Sequence, residues 1–548
     1  MAGESMVTRR KFLEIMSILA GTAVIGWNPA PALAKAVKKS KAKGYDAVVI
    51  GAGLGGLGCA ALMAKNGLRP LVIEQHTIPG GYATSFTREG DTGGTFTCEV
   101  SLHSTSAKAP GMRKMLTDMG VYDRLDMVDH ELAWTRIGAD GLIDLPNKGL
   151  AGLETLLKQR FPADFDDITR LMAYWRHMLA EMARLETQGP PADLSRFPQD
   201  YPTLWSVAGS TLGQVLDRHL SNRRLKDFIG MTWGYYGLPP SKLAAFYYLL
   251  PMAEYLEHGG VYLRGTSQSL SDALASVIEQ NGGKVLLGER VAAILVKNGR
   301  AAGVKTASGR TFAARAVVSN ASAPATFAML PPASLPPEYL NRASGFENSV
   351  SNVIVWLGLD REIKSLQPRA ELSIDLAADP EASYRAAMAG DWANVGVGVM
   401  IYDHLVPGFS PAGKTTLCAM CLSGYEPWRR FEKDYDAGNK QEYYQAKDQA
   451  ADRLIATVER AALPGLSKWI VMREVATPLT NRRFTMNPGG AIYGYSQTVD
   501  NSFMRRIQNR TPLPGLYLSS AWAMPGGGYG GALSAARGTF KNLVEDLG

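Results

Sequence analysis

At 548 residues, 46% of them apolar and 20% charged, the chain has core-forming sequence for two or three domains and is not disordered, fibrous or a multi-span membrane protein. Its formal charge of +7 is gathered at one end, because residues 1–43 hold eight Lys or Arg against Glu4 and Glu14. The remaining body is close to neutral, which excludes a nucleic-acid binder: no basic stripe is left to neutralise phosphates.

The first 43 residues read as an address and a linker. The run TRRKFL at 8–13 closely resembles the twin-arginine export motif, an apolar stretch follows at 15–27, and Ala32-Leu33-Ala34 fits a small-x-small cleavage site. That stretch is too short for an ordinary membrane span. The expectation is export of a folded protein to the periplasm or the periplasmic face of the inner membrane. The basic linker at 35–43 is able to touch anionic lipid.

The chain is organised around 45–74. Residues 47–50 predict a buried parallel strand, Gly51, Gly53 and Gly56 supply G-x-G-x-x-G with Leu54 and Gly55 inside it, and 57–65 continues at helical period. Gly51 permits the tight turn, Gly53 lets backbone approach a pyrophosphate, and Gly56 lets helix pack on strand. The phosphates would sit at the helix N-terminus. A second strand at 71–73 ends in Glu74, an acceptor for ribose hydroxyls that disfavours a 2′-phosphate and hence NADP. FAD and NAD stay open on this fingerprint. The following His76-Thr77-Ile78-Pro79-Gly80-Gly81 supplies glycines for an extended dinucleotide.

With those residues the sequence resembles the amine oxidase and phytoene desaturase superfamily of flavoproteins. The phrase at 236–241, YGLPPS, and the stretches 474–480 and 487–494 resemble more narrowly its carotenoid isomerase and retinol saturase branch. The resemblance covers 44–548, strongest at both ends and weakest over 109–225. It implies an α/β fold, a Rossmann-type FAD-binding domain with a discontinuous substrate domain of mixed sheet and helices. On this division 44–108, 259–345 and 474–548 build the FAD domain, while 109–258 is a helical substrate region and 346–473 a substrate sheet with a helix behind it.

Along the chain, 96–103 departs from the family pattern at Glu99, and His103 is a candidate to face the flavin. Residues 109–255 are mainly helical in pattern, and 228–255 is dense in aromatic and aliphatic side chains that are either helical core or the lining of a greasy tunnel; Tyr236 and Tyr248 are its candidate substrate contacts. Alternating strands and glycine turns at 259–320 predict a small sheet packed on the dinucleotide fold, in which the resemblance places Val291 against the adenine through its backbone. Cys418 and Cys421 share redox-motif spacing but fall in a strand, where residues three apart face opposite ways, so neither a disulfide nor a metal pair is expected. The seven histidines are scattered, and no metal site can be argued. At the C-terminal end, Trp522, Pro525, Gly526 and Gly527 lead into a helix expected at 531–547 whose N-terminus would aim amides at the flavin. Ser520 stands where the family has Gly, and Tyr529 is a further candidate substrate contact.

These readings imply an FAD-dependent oxidoreductase acting on a carotenoid, retinoid or other isoprenoid, by desaturation, double-bond reduction or isomerisation on reduced flavin. No second dinucleotide motif follows, so a separate NAD(P)H domain is not expected, and a quinone or redox protein is the implied electron partner. An exported amine oxidase, with Trp522 and Tyr529 as an aromatic cage, is one alternative. A non-catalytic isoprenoid-binding flavoprotein is the other.

Overall fold

The computed structural model describes residues 44–548 except 102–103, 190, 192, 378 and 503–504. The export motif, the apolar run after it and His103 therefore lie outside the described residues.

Tyr45–Ile50 is a central strand of a parallel sheet. It runs between Pro70–Ile73 and Thr311–Ser319, with Lys284–Leu286 and Leu516–Leu518 outside them. Both faces are covered, which is why the strand reads as a continuous apolar run. Ala47 and Val49 pack with the helices Leu54–Lys65, Thr266–Gln280 and Gly528–Leu547, while Val48 and Ile50 pack with Leu71, Ile294, Val304 and Leu516. Leu54–Lys65 is buried along its length up to Ala64. A helix sandwiched in this way carries no polar face.

The small sheet expected over 259–320 is present: Val291–Lys297 and Arg300–Thr306 pair antiparallel and pack Ile294, Ala301 and Val304 against Val48, Ile50 and Leu71 of this sheet, to which they are also joined through one strand. Thr311–Ser319 pairs antiparallel with Arg300–Thr306 through 311–313 and parallel with Tyr45–Ile50 through 314–319. One strand serves both pairings, so the small sheet is joined to the dinucleotide sheet along Thr311–Ser319 while its side chains pack on that sheet's face.

A second sheet of seven strands has the order Ile470–Ala476, Ser351–Leu359, Thr415–Ser423, Val397–Ile401, Glu371–Asp375, Leu132–Gly138, Gly141–Pro146. Its last two members are a hairpin inside 109–258, which is otherwise mainly helical as expected. The hairpin turns at Ala139-Asp140 just before Gly141, a turn signal hidden among the flanking helical patterns. Every residue of Ser351–Leu359 is buried. Val353, Val355 and Leu357 pack with the helical layer of Trp175, Met178 and Leu204, and Ile354 and Trp356 face the cofactor side. Cys418 and Cys421 fall in these two different clusters, on opposite faces of their strand, and all four cysteines are free and buried.

Candidate active site

One cavity of about 1910 Å³ runs from the glycine-rich turn to the helical layer and the second sheet. This exceeds the roughly 300–1,000 Å³ usual for a small-molecule site. It has room for a dinucleotide and a second long molecule.

At its first end the walls are backbone. Gly51 turns the chain at φ +90°, and its N–H donates to the Ile73 carbonyl at 2.8 Å. Gly53 is the extended N-cap of Leu54–Lys65. A Cβ on Gly56 would lie 2.2 Å from the Gly51 carbonyl oxygen, one on Gly55 2.1 Å from that of Ser519, and one on Gly53 2.6 Å from Asn320 Nδ2. Gly56 and Gly55 thus let the helix sit on its neighbours, while Gly53 keeps the trough open. Gly51, Gly53, Leu54 and Gly55 line the cavity; Gly56 lies behind them, its N–H donating to Asn320 Oδ1 at 3.1 Å. The free first-turn amides of a helix end suit a phosphate.

Glu74 is a cavity wall and a clamp. One carboxylate oxygen accepts from Ala52 N–H at 2.7 Å and the other from His76 N–H at 2.9 Å. Each oxygen keeps a second lone pair for a ribose hydroxyl. Gly80 and Gly81 adopt φ +130° and +62°, and Gly80 N–H bonds the Ala52 carbonyl. Val291 lies with Glu289 and Arg290 at the same end.

Residues 519–528 close the far side of the trough, with Ser520, Trp522, Pro525, Gly526 and Gly527 in the wall. Beneath them lies Arg506, with no solvent exposure. Its Nε donates to the Ala523 carbonyl at 2.9 Å, Nη2 to those of Ala521 and Tyr495 at 2.6 and 3.2 Å, and Nη1 to that of Asn501 at 3.3 Å. Burial draws the guanidinium below its ordinary pKa, and no described carboxylate pairs with it. Its work is to hold a turn by its carbonyls. The C-terminal helix begins at Gly528, three residues earlier than expected, and its first residues line the cavity.

The other end is walled by side chains. Tyr236, Phe246, Tyr247 and Leu250 come from the helical layer, Ile354, Trp356 and Met420 from the second sheet. The aromatic stretch is therefore both things at once: Trp233 and Leu249 are core, and their neighbours are lining. Tyr248 corrects the expectation. It is buried in the helical core, its hydroxyl bonded to the Ile229 carbonyl and 2.7 Å from Thr232 Oγ1, and it does not line the cavity. One step along a helix turns a side chain by about 100°, so Tyr247 takes its place, donating to the Pro525 carbonyl. Tyr529 lines the cavity with its hydroxyl 3.0 Å from Ser101 Oγ. Trp522 packs edge-on against Tyr495 at 4.9 Å and makes no ring contact with Tyr529.

Glu99, the departure from the family pattern, is a structural acid. It accepts from Ser267 N–H and Tyr262 Oη, both at 2.8 Å, and from Ser267 Oγ at 2.5 Å, capping the first turn of Thr266–Gln280. Asn320 and Arg506 were not singled out from the sequence. A lone Asn after an apolar run and an Arg in a polar stretch carry no local signal.

With this geometry in view, comparison with known proteins settles the lineage. The family described as flavin containing amine oxidoreductase matches residues 54–539. The chain belongs to this family. A prolycopene isomerase of an Oncidium hybrid cultivar is 26% identical over 94% of this chain and 86% of its own length. An all-trans-retinol 13,14-reductase of Danio rerio is 24% identical over 90% and 84%. The crystal structure of an oxidoreductase from Methanosarcina mazei superposes with a TM-score of 0.60 at 20% identity, covering 90% of this chain and 99% of that one. This flavoprotein is accordingly an oxidoreductase whose cofactor is FAD. The glycine trough, lined by Gly51, Gly53 and Gly55 with Glu74 beside them, fits that cofactor. Among the described residues no group of His, Cys, Asp or Glu could hold a metal ion.

Proposed function

We propose that this flavoprotein performs redox chemistry on a hydrophobic, unsaturated chain of the isoprenoid class, by desaturation, double-bond reduction or isomerisation. The observation that carries the reading is the continuity of the glycine trough with an apolar cavity end. A prolycopene isomerase and a retinol reductase among its relatives support it. Bound FAD supplies hydride transfer. The chain's residues do the rest: Gly51, Gly53, Leu54, Gly55, Gly56, Glu74, Gly80, Gly81 and Val291 would hold the dinucleotide, and Trp522, Pro525, Gly526 and Gly527 its flavin end. Phe246, Leu250, Ile354, Trp356 and Met420 exclude water and seat the chain. Each buried methylene contributes about 0.8 kcal/mol, so a long chain needs no ionic anchor.

The test is the absorption spectrum of protein purified from cells, with a solvent extract analysed by mass spectrometry. Flavin bands with a co-purified polyene or isoprenoid are expected. Protein expressed with ample FAD yet free of flavin overturns the reading. Flavin without lipid, together with peroxide release on amines, replaces it with an amine oxidase.

The leader supports a place on the far side of the inner membrane, with a quinone or redox protein as electron partner. Among the described residues no helix is long and apolar enough to cross a membrane, so the proposed contact is with the bilayer surface. Replacing Arg9 and Arg10 by Lys is expected to leave the protein in the cytoplasm on cell fractionation, and unchanged distribution removes the export proposal.

A further inference from the structure

Most polar groups on the substrate side of the cavity already have partners. Tyr247 donates to the Pro525 carbonyl, Tyr255 to the Ala133 carbonyl at 3.0 Å, Tyr529 pairs with Ser101, and Tyr235 donates to the buried Glu371 carboxylate. Tyr236 and Tyr493 differ. Both line the cavity, yet neither hydroxyl bonds any described residue, and neither oxygen is sealed inside protein.

The Tyr493 ring lies against the backbone beside Tyr236, at the seam between the cofactor and substrate ends, and the two phenols are near enough to act on each other electrostatically. A Cβ on Gly237, next to Tyr236, would lie 3.0 Å from Tyr493 Cδ2, and one on Gly527 would lie 2.7 Å from the Tyr493 carbonyl oxygen. Burial drives both phenols above their ordinary pKa, Tyr236 far above it with its neighbours Tyr248 and Tyr493 adding to the effect. Both hydroxyls are thus neutral, each able to donate one hydrogen bond and to accept others.

A hydrocarbon seated against them strips their water and returns nothing, and an unpaired buried hydroxyl is costly. A substrate oxygen repairs the loss. We propose that Tyr236 and Tyr493, beside the Tyr235–Glu371 pair, form an oxygen-recognition site, so that the substrate is a chain bearing a hydroxyl or carbonyl oxygen near the reacting region. The inference rests on the reading of the cavity as the seat of a hydrophobic chain.

The test uses the FAD-loaded protein and four probes on one C20 isoprenoid skeleton: the alcohol, the aldehyde, the hydrocarbon and the primary amine. Binding is read from perturbation of the flavin absorption spectrum, with flavin content measured for each sample. The alcohol or aldehyde is expected to bind about tenfold or more tighter than the hydrocarbon, the size of one buried hydrogen bond and its unpaired alternative. In Tyr236→Phe combined with Tyr493→Phe that ratio falls toward one while hydrocarbon affinity holds or improves. Equal binding of alcohol and hydrocarbon to the native protein overturns the site, as does a ratio that survives both substitutions. If no oxygenated or hydrocarbon chain binds, the hydrophobic-substrate reading itself falls; if the amine alone binds, it gives way to an amine oxidase.

Discussion

The nucleotide end of the cavity and its substrate end are walled by different materials, backbone in the first and side chains in the second. Around Gly51–Gly56 a single methyl group meets a carbonyl oxygen at 2.1 to 2.2 Å. Around Phe246, Leu250, Ile354 and Met420 the same methyl meets side chains that are able to shift rotamer. Backbone walls admit one ligand shape, because the strand, turn and helix that form them cannot move apart without losing the sheet. Side-chain walls can be re-cut for different chains, which fits relatives whose names describe both an isomerase and a retinol reductase.

The sharpest test of that difference is Gly56→Ala. Its Cβ would sit 2.2 Å from the Gly51 carbonyl oxygen, and neither atom belongs to a flexible side chain. Helix and strand must separate, at a cost above the roughly 1–3 kcal/mol of ordinary overpacking. The expected product is protein without flavin, if it folds at all, read from the ratio of flavin to protein absorbance. Gly209→Ala is the control: the site has no heavy atom within 4 Å and no positive φ, so flavin content and thermal midpoint are expected to stay as in the native protein. A flavin-loaded Gly56→Ala protein would erase the distinction between the two walls.

What the sequence made legible divides along the same line. A backbone wall needs glycine at fixed spacing after an apolar strand, and Gly51, Gly53, Gly56 and Glu74 stand in that register. The pattern can be read because each residue's reason is local. Asn320 reaches Gly56 from 264 residues away, and no local pattern announces such a contact. Tyr248 failed for a different reason: aromatic density shows that a helix is buried but not which side of it meets a cavity. The hairpin of Leu132–Gly138 and Gly141–Pro146 carries little local signal because it joins its sheet through Glu371–Asp375, which pairs with Leu132–Gly138 from far along the chain. Edge hairpins of this kind take their β character from tertiary pairing more than from intrinsic preference.

Arg506 sits where the two materials meet, since a side chain there holds backbone in place. Removing it with Arg506→Met leaves the carbonyls of Tyr495, Asn501, Ala521 and Ala523 without their donor. A buried acceptor left unsatisfied costs about 1–3 kcal/mol. Lower thermal stability and weaker flavin retention are expected together, because the same turn carries Trp522 and Pro525. Arg506→Lys keeps a charge but not the fork that reaches several carbonyls, and is expected to fall between. If Arg506→Met loses stability yet holds flavin as tightly as the native protein, the turn does not position the flavin end.

The smallest effect is expected far from the glycine trough, at the outer edge of the second sheet. Asp144, on Gly141–Pro146, receives both Nε and Nη2 of Arg369 at 2.7 Å. Those hydrogen bonds, with burial opposing and Thr135 assisting, hold its carboxyl below the usual carboxylate range. A carboxyl whose folded pKa is depressed stabilises the protein above its unfolded value, about 3.9, and the contribution is lost as the pH falls through the folded value. Asp144→Asn is therefore expected to lower stability at pH 7 by about 1 kcal/mol or less, as suits a pair near the surface. The difference should shrink as the pH drops below about 4. Thermal midpoints of the two proteins across that window give the reading, with flavin content unchanged throughout. A gap that stays constant with pH would mean that the substitution acts through packing of the hairpin and not through the charge of Asp144. A fall in flavin content would mean that the hairpin is coupled to the cofactor end, against the separation of the two walls.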